Sequence, residues 1–75
     1  MTKLPRLSGK EVIKALSKVG FVQTRQKGSH VFMKKITPEG HVALVVPNHV
    51  EIDKGTLIEI IRQARLTREE FFKLI

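Results

Sequence analysis

The sequence has 75 residues, a length that holds one domain, expected here to run over residues 1–75. It contains no cysteine, which excludes a disulfide scaffold, a cysteine nucleophile and a thiolate metal site. Fourteen Lys/Arg against seven Asp/Glu give a net charge of +7. The excess is local. Residues 1–35 hold nine Lys/Arg and only Glu11, whereas residues 36–75 hold five Lys/Arg and six acids. A field concentrated in one half points to a polyanion partner more than to general solubility. No apolar run reaches the roughly 20 residues of a membrane helix. Met1–Lys10 lacks the apolar core of a secretory leader, so a soluble cytoplasmic protein with no membrane contact is expected.

In chain order, Ser8-Gly9-Lys10-Glu11 has the form of a capping box, followed by Val12, Ile13, Leu16 and Val19 at helical spacing. The first helix is therefore predicted over about residues 8–19, with Gly20 at a left-handed C-terminal cap. Phe21–Arg25 reads as a strand, Gln26-Lys27-Gly28 as a three-residue loop and Ser29–Ile36 as a second strand. Thr37-Pro38-Glu39-Gly40 has proline and glycine at the second and fourth positions of a turn. His41–Val46 is a third strand, stopped by Pro47 and Asn48. Asp53–Thr56 opens a second helix carrying Leu57, Ile60, Ile61 and Ala64. Thr67-Arg68-Glu69-Glu70 is another capping box, opening a short last helix. The fold class is α+β: a three-stranded antiparallel sheet with helices on one face, in the order α-β-β-β-α-α.

The turn at Pro38 pairs Met33 with Leu44, Val31 with Val46 and Lys35 with Val42, an apolar set for the helices to cover. A three-residue loop at Gly28 pairs Arg25 with Ser29 and turns Phe21 toward Met33 on that same face. The opposite face would carry Val22, Thr24, His30, Phe32, Lys34, Ala43 and Val45, open to solvent or a ligand. A slip of one residue exchanges the faces.

Three histidines are the candidates for chemistry. His30 starts the central strand on the open face. His41 lies at the far end of the hairpin, about 20 Å away along the strand. Pro47 pairs with His30, so His49 could come near it. Ser29 and His30 are adjacent on a strand and point to opposite faces, which argues against a Ser–His dyad. Positions 30, 41 and 49 form no metal-ligand motif. A single histidine can still cleave RNA, whose 2′-hydroxyl is a built-in nucleophile. An imidazole accepts its proton near neutral pH, and Lys or Arg stabilise the phosphate charge that develops. Lys27 and Lys34, with N–H groups near Gly28, are the nearest phosphate contacts. Arg25 and Ser29 belong to the same candidate RNA-binding set. Each residue also has a plainer reading: a surface histidine, a turn glycine, solvated lysines. Phe32 is open to three roles, as a cross-strand partner, a stacking platform for a base or a protein contact.

Gln26-Lys27-Gly28-Ser29-His30, then Val46-Pro47-Asn48-His49, then Lys54-Gly55-Thr56-Leu57 through Ile61-Arg62-Gln63-Ala64, resemble the HicA-like toxins of prokaryotic toxin–antitoxin systems. The resemblance covers about residues 8–75. It implies a double-stranded-RNA-binding-domain-like fold and a small mRNA-cleaving endoribonuclease; with no metal-ligand motif in the sequence, no metal or cofactor is expected. The inhibitor it implies is a HicB-like antitoxin covering the active site. It places the catalytic histidine at His30 and the preceding glycine at Gly28, and His49 is a possible accessory residue. Where the family ends its second helix with Gln-Ala-Gly, this chain has Gln63-Ala64-Arg65, which puts that helix exit in question. A non-catalytic RNA-binding module of the same fold is the alternative.

Overall fold

The computed structural model describes residues 6–75. The expectation that Met1–Lys10 holds no secretory leader falls partly outside the described residues. Six elements follow in the expected order: α1 Gly9–Ser17, β1 Val22–Lys27, β2 His30–Thr37, β3 Gly40–Pro47, α2 Lys54–Gln63 and α3 Arg68–Phe72. The sheet is antiparallel in the order β1-β2-β3. This is the α+β architecture read from the sequence.

Both capping boxes form. The Glu11 N–H donates to Ser8 Oγ (3.2 Å) while Glu11 Oε1 accepts from the Ser8 N–H (2.9 Å). Thr67 and Glu70 repeat the exchange at α3. Such caps satisfy backbone donors that the first helical turn leaves without partners. Val12, Ala15 and Leu16 of α1, with Leu57, Ile60 and Ile61 of α2, enter one cluster with Val31, Met33, Val42, Leu44 and Val46 of the sheet. Burying each of the larger side chains contributes about 1.5–3 kcal/mol. Phe71 carries α3 into the same cluster, and Lys18 Nζ donates to the Leu74 carbonyl (2.8 Å).

The β2–β3 register is the expected one: Met33 opposes Leu44, Val31 opposes Val46 and Lys35 opposes Val42. The β1–β2 hairpin differs. Its loop has two residues, Gly28-Ser29, not three, and Lys27 opposes His30. Gly28 has φ 60 and Ser29 has no positive φ, the pattern of a II′ turn with glycine first. Arg25 therefore faces Phe32 instead of Ser29, and a bulge at Thr24 shifts the register between Gln23 and Arg25. Beyond the bulge Gln23, not Phe21, opposes Met33. Phe21 is still buried, just ahead of β1, with the Lys35 ammonium 5.9 Å from its ring centroid. The extra residue at Thr24 is what allows both Phe21 in the core and Arg25 on the outer face, because a bulge changes side-chain parity along a strand.

The exit of α2 resolves without glycine. Arg65 itself takes the left-handed conformation, φ 62, and the Leu66 N–H closes back on the Ile61 carbonyl (3.2 Å).

Candidate functional site

His30 is exposed, at the first position of β2, with Lys27 across one hairpin and Pro47 across the other. The strand alternation and the observed register put Val22, Arg25, Lys27, His30, Phe32, Lys34, Ala43 and Val45 on the face opposite the helices. Phe32, Lys34 and Val45 are half-buried there, and the rest are exposed. The three strands contain no Asp or Glu. A basic, acid-free face results, and it attracts phosphate without an opposing charge.

The structure also ties three segments together at the His30 end. The Asn48 N–H donates to the Ser29 carbonyl (2.6 Å), and the Gly9 N–H donates to the His49 carbonyl (2.8 Å). A side chain at Gly9 would meet Asn48 Cα and the Pro47 carbonyl at 2.5 Å. Glycine is thus what lets the start of α1 lie against the Pro47-Asn48-His49 loop. His49 is exposed and lines a hollow of about 220 Å³ with Lys10, Asn48 and Val50. His30 does not line that hollow, although the loop carrying His49 is held to its neighbour Ser29. His41 opposes Ile36 at the far end of the sheet, away from His30 as expected.

Lys27 lies directly across from His30. Gly28 and Ser29 form the turn between them, and Lys34 lies four residues further along β2, opposite Ala43. Arg25 is placed differently from its sequence reading: its guanidinium carbon lies 4.8 Å from the Phe32 ring centroid. Sequence reasoning missed this pair, because it depends on the two-residue loop that sets the β1–β2 register. The dipeptide Gly28-Ser29 is itself a two-residue hairpin signal and could have revealed the shorter loop.

A larger concavity, about 600 Å³, lies elsewhere, between β3 and α2, lined by Ala43, Val45, Asp53, Glu59, Ile60 and Gln63. Its ionisable groups are acids, which disfavours an anionic ligand, and its polar groups are already paired. The Thr56 hydroxyl (2.7 Å) and then the Thr56 N–H (3.1 Å) hold the Asp53 carboxyl below its ordinary value of 3.8. The Arg62 guanidinium hydrogen-bonds Glu59, lowers its carboxyl and is itself raised by the contact. Charge chemistry therefore favours the His30 face over the larger hollow.

Among the described residues no group of three His, Cys, Asp or Glu is placed to hold a metal ion, and no helix is long and apolar enough to cross a membrane.

The family described as "HicA toxin of bacterial toxin-antitoxin" matches residues 9–66. The chain belongs to the HicA toxin family. Membership makes it the toxin side of a toxin–antitoxin pair, with a partner antitoxin. The HicA match runs from Gly9 at the start of α1 to Leu66 beyond the α2 exit, so it includes the His30 face and the loop carrying His49. A search of curated proteins returned no match.

Proposed function

We propose that this toxin is an endoribonuclease that cleaves mRNA with His30 as general base, and that a HicB-like antitoxin silences it by covering the His30 face. The reading is carried by one observation: an exposed imidazole at the end of an acid-free basic sheet face. In the proposed reaction His30 removes the proton from a ribose 2′-hydroxyl. The freed oxygen attacks the adjacent phosphorus and the bond to the 5′-oxygen breaks. The products are a 2′,3′-cyclic phosphate end and a 5′-hydroxyl end, the leaving oxygen taking up a proton. His49 is the accessory candidate for that proton, because its loop is held to Ser29 through Asn48. Lys27, opposite His30, is assigned to the phosphate charge as it develops. Gly28 and Ser29 allow a phosphate to approach the backbone, and Arg25 and Lys34 hold the strand further along the face. No step calls for a metal ion. The reaction belongs to the cytoplasm, where mRNA is found.

The mechanism selects RNA, since DNA lacks the nucleophile. His30→Ala is expected to keep the fold and RNA affinity while losing cleavage by about 10²–10⁴-fold, the usual contribution of a general base. A gel of RNA incubated with each protein checks this. Equal cutting by the alanine variant would remove His30 from catalysis. Retention of RNA without cutting by either protein would make the domain a binding module, which reads shape, phosphates and 2′-hydroxyls.

A further inference from the structure

Phe32 is an aromatic ring on a face with no apolar layer above it. Its side chain is half-buried, and it opposes Arg25 on β1 and Val45 on β3. A concavity of about 380 Å³ opens on this face, lined by Thr24, Arg25, Phe32, Lys34, Ala43 and Val45. The Arg25 guanidinium lies on the ring, 4.8 Å from its centroid. A planar, hydrogen-bonding group thus already rests on the aromatic face. Arg25 and Lys34 line the hollow, Lys27 follows two residues beyond Arg25 on β1, and the strands supply no acid. A nucleic acid finds both things it needs, a π-face for a base and cations for the flanking phosphates.

We infer that Phe32 and Arg25 form a base-stacking subsite, in which an unpaired nucleobase takes the guanidinium's place on the Phe32 ring and Arg25 turns to a flanking phosphate. The inference rests on the reading of this face as an RNA site. Phe32 lies two residues from His30 on β2, about 7 Å along the strand, so the stacked base belongs to a nucleotide near the scissile phosphate. A base held in a duplex cannot leave its own stack for the ring without unpairing. The subsite therefore favours a single strand, and the ring is a specificity-determining residue and not a general cationic contact.

The test uses the full chain and a short single-stranded oligonucleotide, 2′-O-methylated against cleavage and carrying one 2-aminopurine. Stacking on the ring quenches this base's emission. Phe32→Ala is expected to weaken binding about five- to 150-fold, the range for one stacked base, and to abolish the bound-state quenching. Phe32→Tyr should retain both, and Phe32→Leu should lose the quenching while keeping apolar bulk. The ring is uncharged, so Phe32→Ala should leave the salt dependence unchanged, whereas Lys34→Ala should reduce the slope by about one. Circular dichroism of each variant confirms the fold. Unchanged binding and quenching in Phe32→Ala and Phe32→Leu would overturn the subsite. So would loss of antitoxin binding by Phe32→Ala with oligonucleotide binding intact. Because the oligonucleotide cannot be cut, this result is independent of whether His30→Ala still cleaves ordinary RNA.

Discussion

Arg65 and Gly9 show how single positions carry structural demands unlike those of their neighbours. Arg65 holds φ 62, a conformation in which a side chain crowds its own backbone. Replacing it with glycine relieves that crowding at some cost in unfolded-chain entropy. Arg65→Gly is therefore expected to stabilise the fold by about 1 kcal/mol, read as a higher urea midpoint at unchanged slope. A lower midpoint would show that the arginine side chain contributes more than its strain costs. Gly9 has the opposite constraint. Its φ is ordinary helix, but a methyl group would lie 2.5 Å from Asn48 Cα and the Pro47 carbonyl. Both neighbours are backbone and cannot rotate aside. Gly9→Ala should destabilise by about 1–3 kcal/mol, and it should disturb the hydrogen bond from the Gly9 N–H to the His49 carbonyl. Amide exchange at Gly9 checks the second effect separately from overall stability.

The helices respond to pH through their caps and through the Glu59–Arg62 pair within α2. Asp53 is lowered chiefly by the Thr56 hydroxyl and Glu59 chiefly by Arg62. Glu70 is lowered chiefly by the Thr67 N–H, which lies 2.7 Å from its carboxylate. A carboxyl with a depressed folded pKa contributes stability above its unfolded value, and that stability is lost as pH falls through the folded value. The thermal midpoint should thus be insensitive to these groups from neutral pH down to about their ordinary values of 3.8 and 4.5, and fall below them. Asp53→Asn, which keeps a capping oxygen, should reduce the fall; an unchanged acid limb would assign it to other carboxyls. The strands differ in how well they state their own register. In β2 and β3 burial alternates, with Val31, Met33, Val42, Leu44 and Val46 inside, and Pro38 with Gly40 marks the turn that sets this register. In β1 every residue is exposed. Nothing in Val22–Lys27 penalises a shift, so the Thr24 bulge was not legible there, and the loop length could be read only from Gly28-Ser29.

Across the whole molecule the two faces of the sheet divide the work. One lies under the helices in a single apolar cluster, and the other bears Arg25, Lys27, His30 and Lys34 with no acid among the strands. If that outer face holds RNA, affinity should fall steeply between about 50 and 200 mM salt as counterions are no longer usefully released. A flat response in a filter-binding titration would argue against phosphate contacts. The amino-acid sequence determined the order of elements, both capping boxes, the β2–β3 register and the outward position of His30. Those features follow from local chemistry, the capping residues and the Pro38 turn, which a chain carries along its length. Only the tertiary structure decided that Arg25 rests on Phe32 and that Gly9 seats α1 against the loop of His49. The first depends on the register of a strand whose residues are all exposed, so that no burial pattern fixes it, and the second on segments distant in sequence.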